Sequence, residues 1–128
     1  MNYRREIIVS ARFIGFHSWK DAPADVEYLR SLHRHLFHVR IGCAVEHGDR
    51  QLEFFQIQKL LQKNLDWIGK RDASCEEFAQ AILEHIPQAH WAEVFEDNEN
   101  GARVSKVEKD NNEHNRYYRL SEPGVQQG

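Results

Sequence analysis

Two long runs of strict alternation stand on either side of a polar connection, and one ends in histidine where the other begins with it. In residues 5–17, Ile7, Val9, Ala11, Phe13, Gly15 and His17 share one side of an extended chain. In residues 33–46, His33, His35, Phe37, Val39, Ile41, Cys43 and Val45 do the same. Strand side chains alternate faces with a period of two, so each run predicts a strand with one apolar face. Paired as an antiparallel hairpin, the end of the first strand lies beside the start of the second. Three imidazoles then converge at one rim of the core-facing side.

The connection carries Lys20, Asp21 and Pro23, with a helical turn expected within residues 26–32. After the turn signal His47-Gly48-Asp49 the period changes. Phe54, Ile57, Leu60, Leu61, Leu65 and Ile68 recur at helical spacing, with Gln58, Lys59, Gln62 and Lys63 between them. A second helix is predicted from Ser74, which can cap it while Glu77 returns to the cap backbone. Phe78, Ile82, Leu83 and Ile86 form its buried stripe, and Pro87 stops it. Strand character returns at Trp91–Phe95, a turn is expected at residues 98–101, and a last strand around residues 103–107. The element order is ββααββ, an α+β antiparallel sheet of four strands with two helices on one face.

A chain of 128 residues fits one domain with its own core. We place that domain at residues 1–108 and a polar tail at residues 109–128, mobile unless a partner orders it, with Tyr117, Tyr118 and Leu120 able to dock. Seventeen basic and 20 acidic residues leave a net charge of −3, with no long basic run, which disfavours nucleic acid as a partner. Cys43 and Cys75 lie in different elements without C-x-x-C spacing, as expected of a reduced, cytoplasmic protein. The N-terminal residues show no signal peptide or membrane span. Sheet edges left open by only four strands predict pairing between subunits, hence a homo-oligomer.

Three histidines on one rim form a metal site in outline. Catalytic zinc is commonly held by three protein ligands with a fourth position open for water or substrate. His17, His33 and His35 are the candidate ligands of Zn2+. His38 points to the opposite face. Cys43, eight residues beyond His35, lies about 26 Å along the strand, too far to act at the metal.

Phe13-Ile14-Gly15-Phe16-His17, Leu32-His33-Arg34-His35, two helices, and then Ala92-Glu93-Val94-Phe95-Glu96 together resemble the 6-pyruvoyl-tetrahydropterin synthase and 6-carboxytetrahydropterin synthase family over roughly residues 5–107. The resemblance implies the tunnelling fold, in which subunits join their sheets into a barrel with active sites at the interfaces. It implies zinc on His17, His33 and His35, and a pterin ring anchored by Glu96, with Ser74, Cys75 and Glu76 at the start of the second helix assisting. The chemistry fits, because a pterin or purine edge offers adjacent N–H donors that one carboxylate accepts in a bidentate pair. Read alone, Glu96 is equally a solvated acid at a strand end, Ser74 a helix cap and Glu76 an acid at a helix start.

The departures bear on activity. Leu29 stands where the synthases carry their proton-transferring cysteine, and Arg34 stands at the central glycine of the H-G-H motif. The segment between the helices has no histidine, so that Asp66 or Asp72 supplies at most half of the family's aspartate–histidine pair. Glu27 is the candidate substitute base. Two functions follow from the resemblance. One is a zinc-dependent lyase acting on a dihydroneopterin triphosphate-like pterin, on the route to 7-deazaguanine compounds. The other is a noncatalytic protein that binds a pterin, purine or nucleotide, or serves in assembly.

Overall fold

In the computed structural model, which describes residues 2–107, the two alternating runs become β1 (Arg5–His17) and β2 (His33–Val45). They pair antiparallel from Arg5 opposite Val45 to His17 opposite His33, so the hairpin register matches the parity of the apolar face along its length. A 3-10 segment, Ala24–Arg30, fills the connection where a helical turn was expected.

Helix α1 (Phe54–Ile68) buries Ile57, Leu61, Leu65 and Ile68. Its first turn is capped by an unusual residue, Glu53, whose side chain accepts hydrogen bonds from the backbone N–H groups of Phe55 and Gln56. Helix α2 (Cys75–His85) starts as its sequence predicts: Ser74 accepts from the Glu77 N–H, and the Glu77 carboxylate accepts from the Ser74 N–H. Both helices pack on one face of the sheet, where Phe37, Ile41, Leu61, Leu65, Phe78 and Ile82 are essentially excluded from water. Each such side chain contributes about 2 kcal/mol of burial, which locks sheet to helices.

Strands β3 (Trp91–Glu96) and β4 (Asn100–Ser105) complete an antiparallel sheet of order β1-β2-β3-β4. The last strand starts earlier than its sequence predicts, and the turn before it is displaced toward the N-terminus. Asp97 and Asn98 both adopt positive φ, 51° and 60°, and the Glu99 N–H bonds back to the Glu96 carbonyl at 2.9 Å. Asp and Asn tolerate that left-handed conformation, and positive φ at both residues turns the chain within the three residues that separate Glu96 from its partner Asn100.

The other sheet face carries no helix among the described residues. Trp91 lies across Gly42, where any Cβ would collide with the indole. Its Nε1 donates to Glu6 at 2.7 Å, and the Arg103 guanidinium sits 4.3 Å above its ring. Ile8, Ile14 and Phe16 of β1 stand half exposed on this side. At the β1 edge, Gln58 and Gln62 of α1 donate to the Ser10 and Arg12 carbonyls, occupying two acceptors that an edge strand would otherwise present. No helix among the described residues is long and apolar enough to cross a membrane. The expected tail over residues 109–128, with Tyr117, Tyr118 and Leu120, lies outside the described residues.

Candidate metal centre

The rim where β1 ends and β2 begins brings His17, His33 and His35 together. His17 is directly opposite His33, and Gly15 is directly opposite His35, so all three rings rise from the helix-covered face. Their centroids are 4.6, 5.0 and 5.1 Å apart, and one ring nitrogen from each lies within 4.8 Å of the others. Phe37 forms an apolar floor, edge-on to His17 at 5.4 Å and to His35 at 5.7 Å. Gly15 makes room for it, since a Cβ there would stand 2.9 Å from the Phe37 ring. His17 is buried and the other two are half-buried, so the cluster opens to solvent at the rim.

The second nitrogen of each ring is equally informative. His17 Nδ1 is 2.8 Å from the Ala73 carbonyl, His33 Nδ1 is 2.8 Å from the Ser31 carbonyl, and His35 Nδ1 is 2.6 Å from the Asp97 carboxylate. A carbonyl or carboxylate oxygen only accepts, so in each case Nδ1 carries a proton, and in the neutral form of the ring Nε2 keeps the lone pair. Three separate acceptors impose the same tautomer on three rings. That is the outer arrangement metal-bound histidines show. The residues therefore fit a divalent transition metal, and zinc is well matched to imidazole donors.

Asp97 is the participant that sequence reasoning missed. Its positive-φ turn aims one carboxylate oxygen at His35 and the other at the Leu36 N–H, 3.1 Å away, while the Asp97 N–H donates to the Leu36 carbonyl. The hydrogen bond from His35 and then that from Leu36 hold its carboxyl below the usual aspartate range. The signal was present in the Asp97-Asn98 dipeptide, a good central pair for a hairpin turn.

Glu96, expected to anchor a ring, lies against the histidines themselves. Its Oε2 is 3.1 Å from His17 Nε2 and its Oε1 is 3.7 Å from His35 Nε2. The start of α2 abuts the same rim. Asp72 accepts from both the backbone and the hydroxyl of Ser18, and these bonds hold its carboxyl low. Asp72 thus ties the entry of α2 to the end of β1 and does not bond to a histidine ring. Ser74 is engaged as the helix cap and Glu76 is exposed. Cys75 is buried, and burial, followed by the charges of Glu96 and Glu76, pushes its thiol up to about 12. At neutral pH it is a thiol, unable to serve as a base. Glu27 is exposed on the 3-10 segment, with no hydrogen bond or ion pair to the histidines among the described residues.

The site thus belongs to an α+β protein with a three-histidine cluster at one end of its sheet. Comparison with models of known protein families gives no match, and comparison with curated proteins gives none.

Proposed function

We propose that the protein binds zinc through His17, His33 and His35 and takes a planar pterin- or purine-like molecule beside it, in the manner of a 6-pyruvoyl- or 6-carboxytetrahydropterin synthase. The observation that carries this reading is the common tautomer of the three rings, each with Nδ1–H donated to an oxygen and Nε2 left to bind a metal. Glu96 and the α2 start, with Ser74, Cys75 and Glu76, would hold the ring edge. The closeness of Cys75 to the Glu96 charge and the contact of Ala73 with His17 support their sharing one site.

In a lyase of this class the metal supplies Lewis acidity toward the side-chain oxygens of a dihydroneopterin triphosphate-like substrate. The chain's own part would be to orient the ring with Glu96, keep water from its apolar side with Phe37, and move a proton with a base, for which Glu27 is the sequence candidate. Subunits would join their sheets into a barrel that completes the site. The half-exposed Ile8, Ile14 and Phe16 on the helix-free face favour burial against another copy.

A noncatalytic binder is the second reading, favoured by the proton-transfer groups. Leu29 cannot move a proton, Cys75 is held as a thiol, and Glu27 makes no contact with the histidines among the described residues. One experiment separates the two. Zinc-loaded protein is incubated with dihydroneopterin triphosphate while binding is followed by calorimetry and product by chromatography. Turnover supports the lyase, and binding without product supports the binder. A protein that takes up neither zinc nor the pterin removes both.

A further inference from the structure

We propose that Glu96 is the fourth ligand of the metal, closing in the ligand-free protein the position that a three-histidine site leaves open. The proposal rests on the metal reading above and assigns Glu96 a role at the metal before any role at a ring.

The argument starts from lone pairs. With Nδ1 of His17 and of His35 donating to an oxygen, the Nε2 atoms that face Glu96 are acceptors in the neutral rings. A carboxylate oxygen is an acceptor too. Two acceptors held 3.1 Å apart repel unless a proton or a metal ion lies between them, and the same carboxylate meets a second Nε2 at 3.7 Å. Among the described residues no lysine or arginine pairs with Glu96. A proton would serve one such nitrogen, whereas a metal ion held by the three-histidine cluster would serve the rings and the carboxylate together. In a tetrahedral zinc site with arms of about 2.1 Å, neighbouring ligand atoms are about 3.4 Å apart. Glu96 Oε2, 3.1 Å from His17 Nε2, stands near that spacing, with Oε1 on the side of His35.

The position of Glu96 is not accidental to its chain. It is the last residue of β3, its backbone placed opposite Phe37 in β2 and opposite Asn100 in β4. The next residue, Asp97, holds His35. One turn therefore delivers a ligand and the support of another ligand together. A consequence follows for recognition. An incoming ring must draw the carboxylate off the metal, and only an edge with paired N–H donors offers it an equivalent bidentate partner. Pterins and guanine-type purines carry such an edge.

The test replaces zinc with cobalt(II) and uses azide as the probe of an open position, comparing wild type with Glu96→Ala and Glu96→Gln. The visible bands of the wild-type cobalt protein are expected to be unchanged by azide. In both variants azide should shift them, and cobalt affinity should fall at least tenfold, with far-ultraviolet circular dichroism confirming that each variant is folded. Bands in the wild type that respond to azide as in the variants, or variants that bind cobalt as tightly as wild type, would overturn the assignment of Glu96 and leave the three-histidine centre standing. Wild-type protein that takes up no stoichiometric cobalt or zinc would overturn the centre and the fourth ligand together.

Discussion

Glu93 and Glu96 stand three residues apart on β3, end on opposite faces of the sheet, and meet opposite electrostatic company. On the helix-free face Glu93 receives both Nε and Nη2 of Arg40 on one oxygen and both Nε and Nη2 of Arg103 on the other. Every strong acceptor direction is filled, across three strands. Burial alone would raise its carboxyl, yet the Arg103 and Arg40 hydrogen bonds hold it below the usual glutamate range. On the helix-covered face Glu96 meets two ring nitrogens whose Nδ1 partners are already held by other oxygens, and no guanidinium or ammonium among the described residues. A carboxylate with its donors built in is part of the framework. One that faces other acceptors is part of a site, because something from outside must complete it.

The contrast is broken most forcefully at the histidines. His17→Ala removes one of four proposed ligands. Sharing roughly 10–16 kcal/mol of zinc binding among four gives about 3 kcal/mol each, so zinc affinity should fall on the order of a hundredfold in a competition titration with a chromophoric chelator. An unchanged affinity would place the metal elsewhere or nowhere.

Glu93→Gln should do the converse, costing stability and sparing zinc. Breaking a buried ion pair typically costs 3–5 kcal/mol, but both arginines here are about half exposed (54% and 49%), so about 2 kcal/mol is expected in urea unfolding. The pH dependence has a definite sign. The folded-state pKa of Glu93 lies below its unfolded value of about 4.3, so its contribution is present above that value and is lost as pH falls through the folded one. Wild type should therefore lose stability below about pH 4 more steeply than Glu93→Gln. Equal slopes in acid unfolding would show that the arginine clamp does not shift Glu93.

The smallest effect belongs to the support of a ligand. Asp97→Ala frees the His35 ring and its tautomer without removing a ligand, and zinc affinity should drop about tenfold, the lower end for outer partners of metal-bound histidine. A loss equal to that of His17→Ala would mean that Asp97 does more than orient the ring.

Much of this was legible along the chain. The alternation of residues 5–17 and 33–45 places His17, His33 and His35 on one face, and the structure keeps them there. The helical spacing of Ile57, Leu61, Leu65 and Ile68 and the Ser74–Glu77 capping box carry over directly, because periodicity and capping are properties of a few consecutive residues. The turn after β3 was less legible. Asn100 and Gly101 look like turn residues as readily as Asp97 and Asn98 do, and cross-strand pairing with β3 decides between them. Asp97 stayed hidden for that reason: its role depends on a hydrogen bond to a residue 62 positions away.

By itself the sequence determined the elements, their order and the face on which each histidine emerges, since side-chain parity along a strand needs nothing beyond the strand. The folded sheet alone decided which acid is clamped and which faces the histidines. Glu93 and Glu96 differ little as letters. Register across β2 and β4 surrounds one with guanidiniums, and the positive-φ turn brings the other, with Asp97 beside it, onto ring nitrogens from distant parts of the chain. Hydrogen-bond partnership is set by ångström distances between remote segments, and no local pattern encodes those.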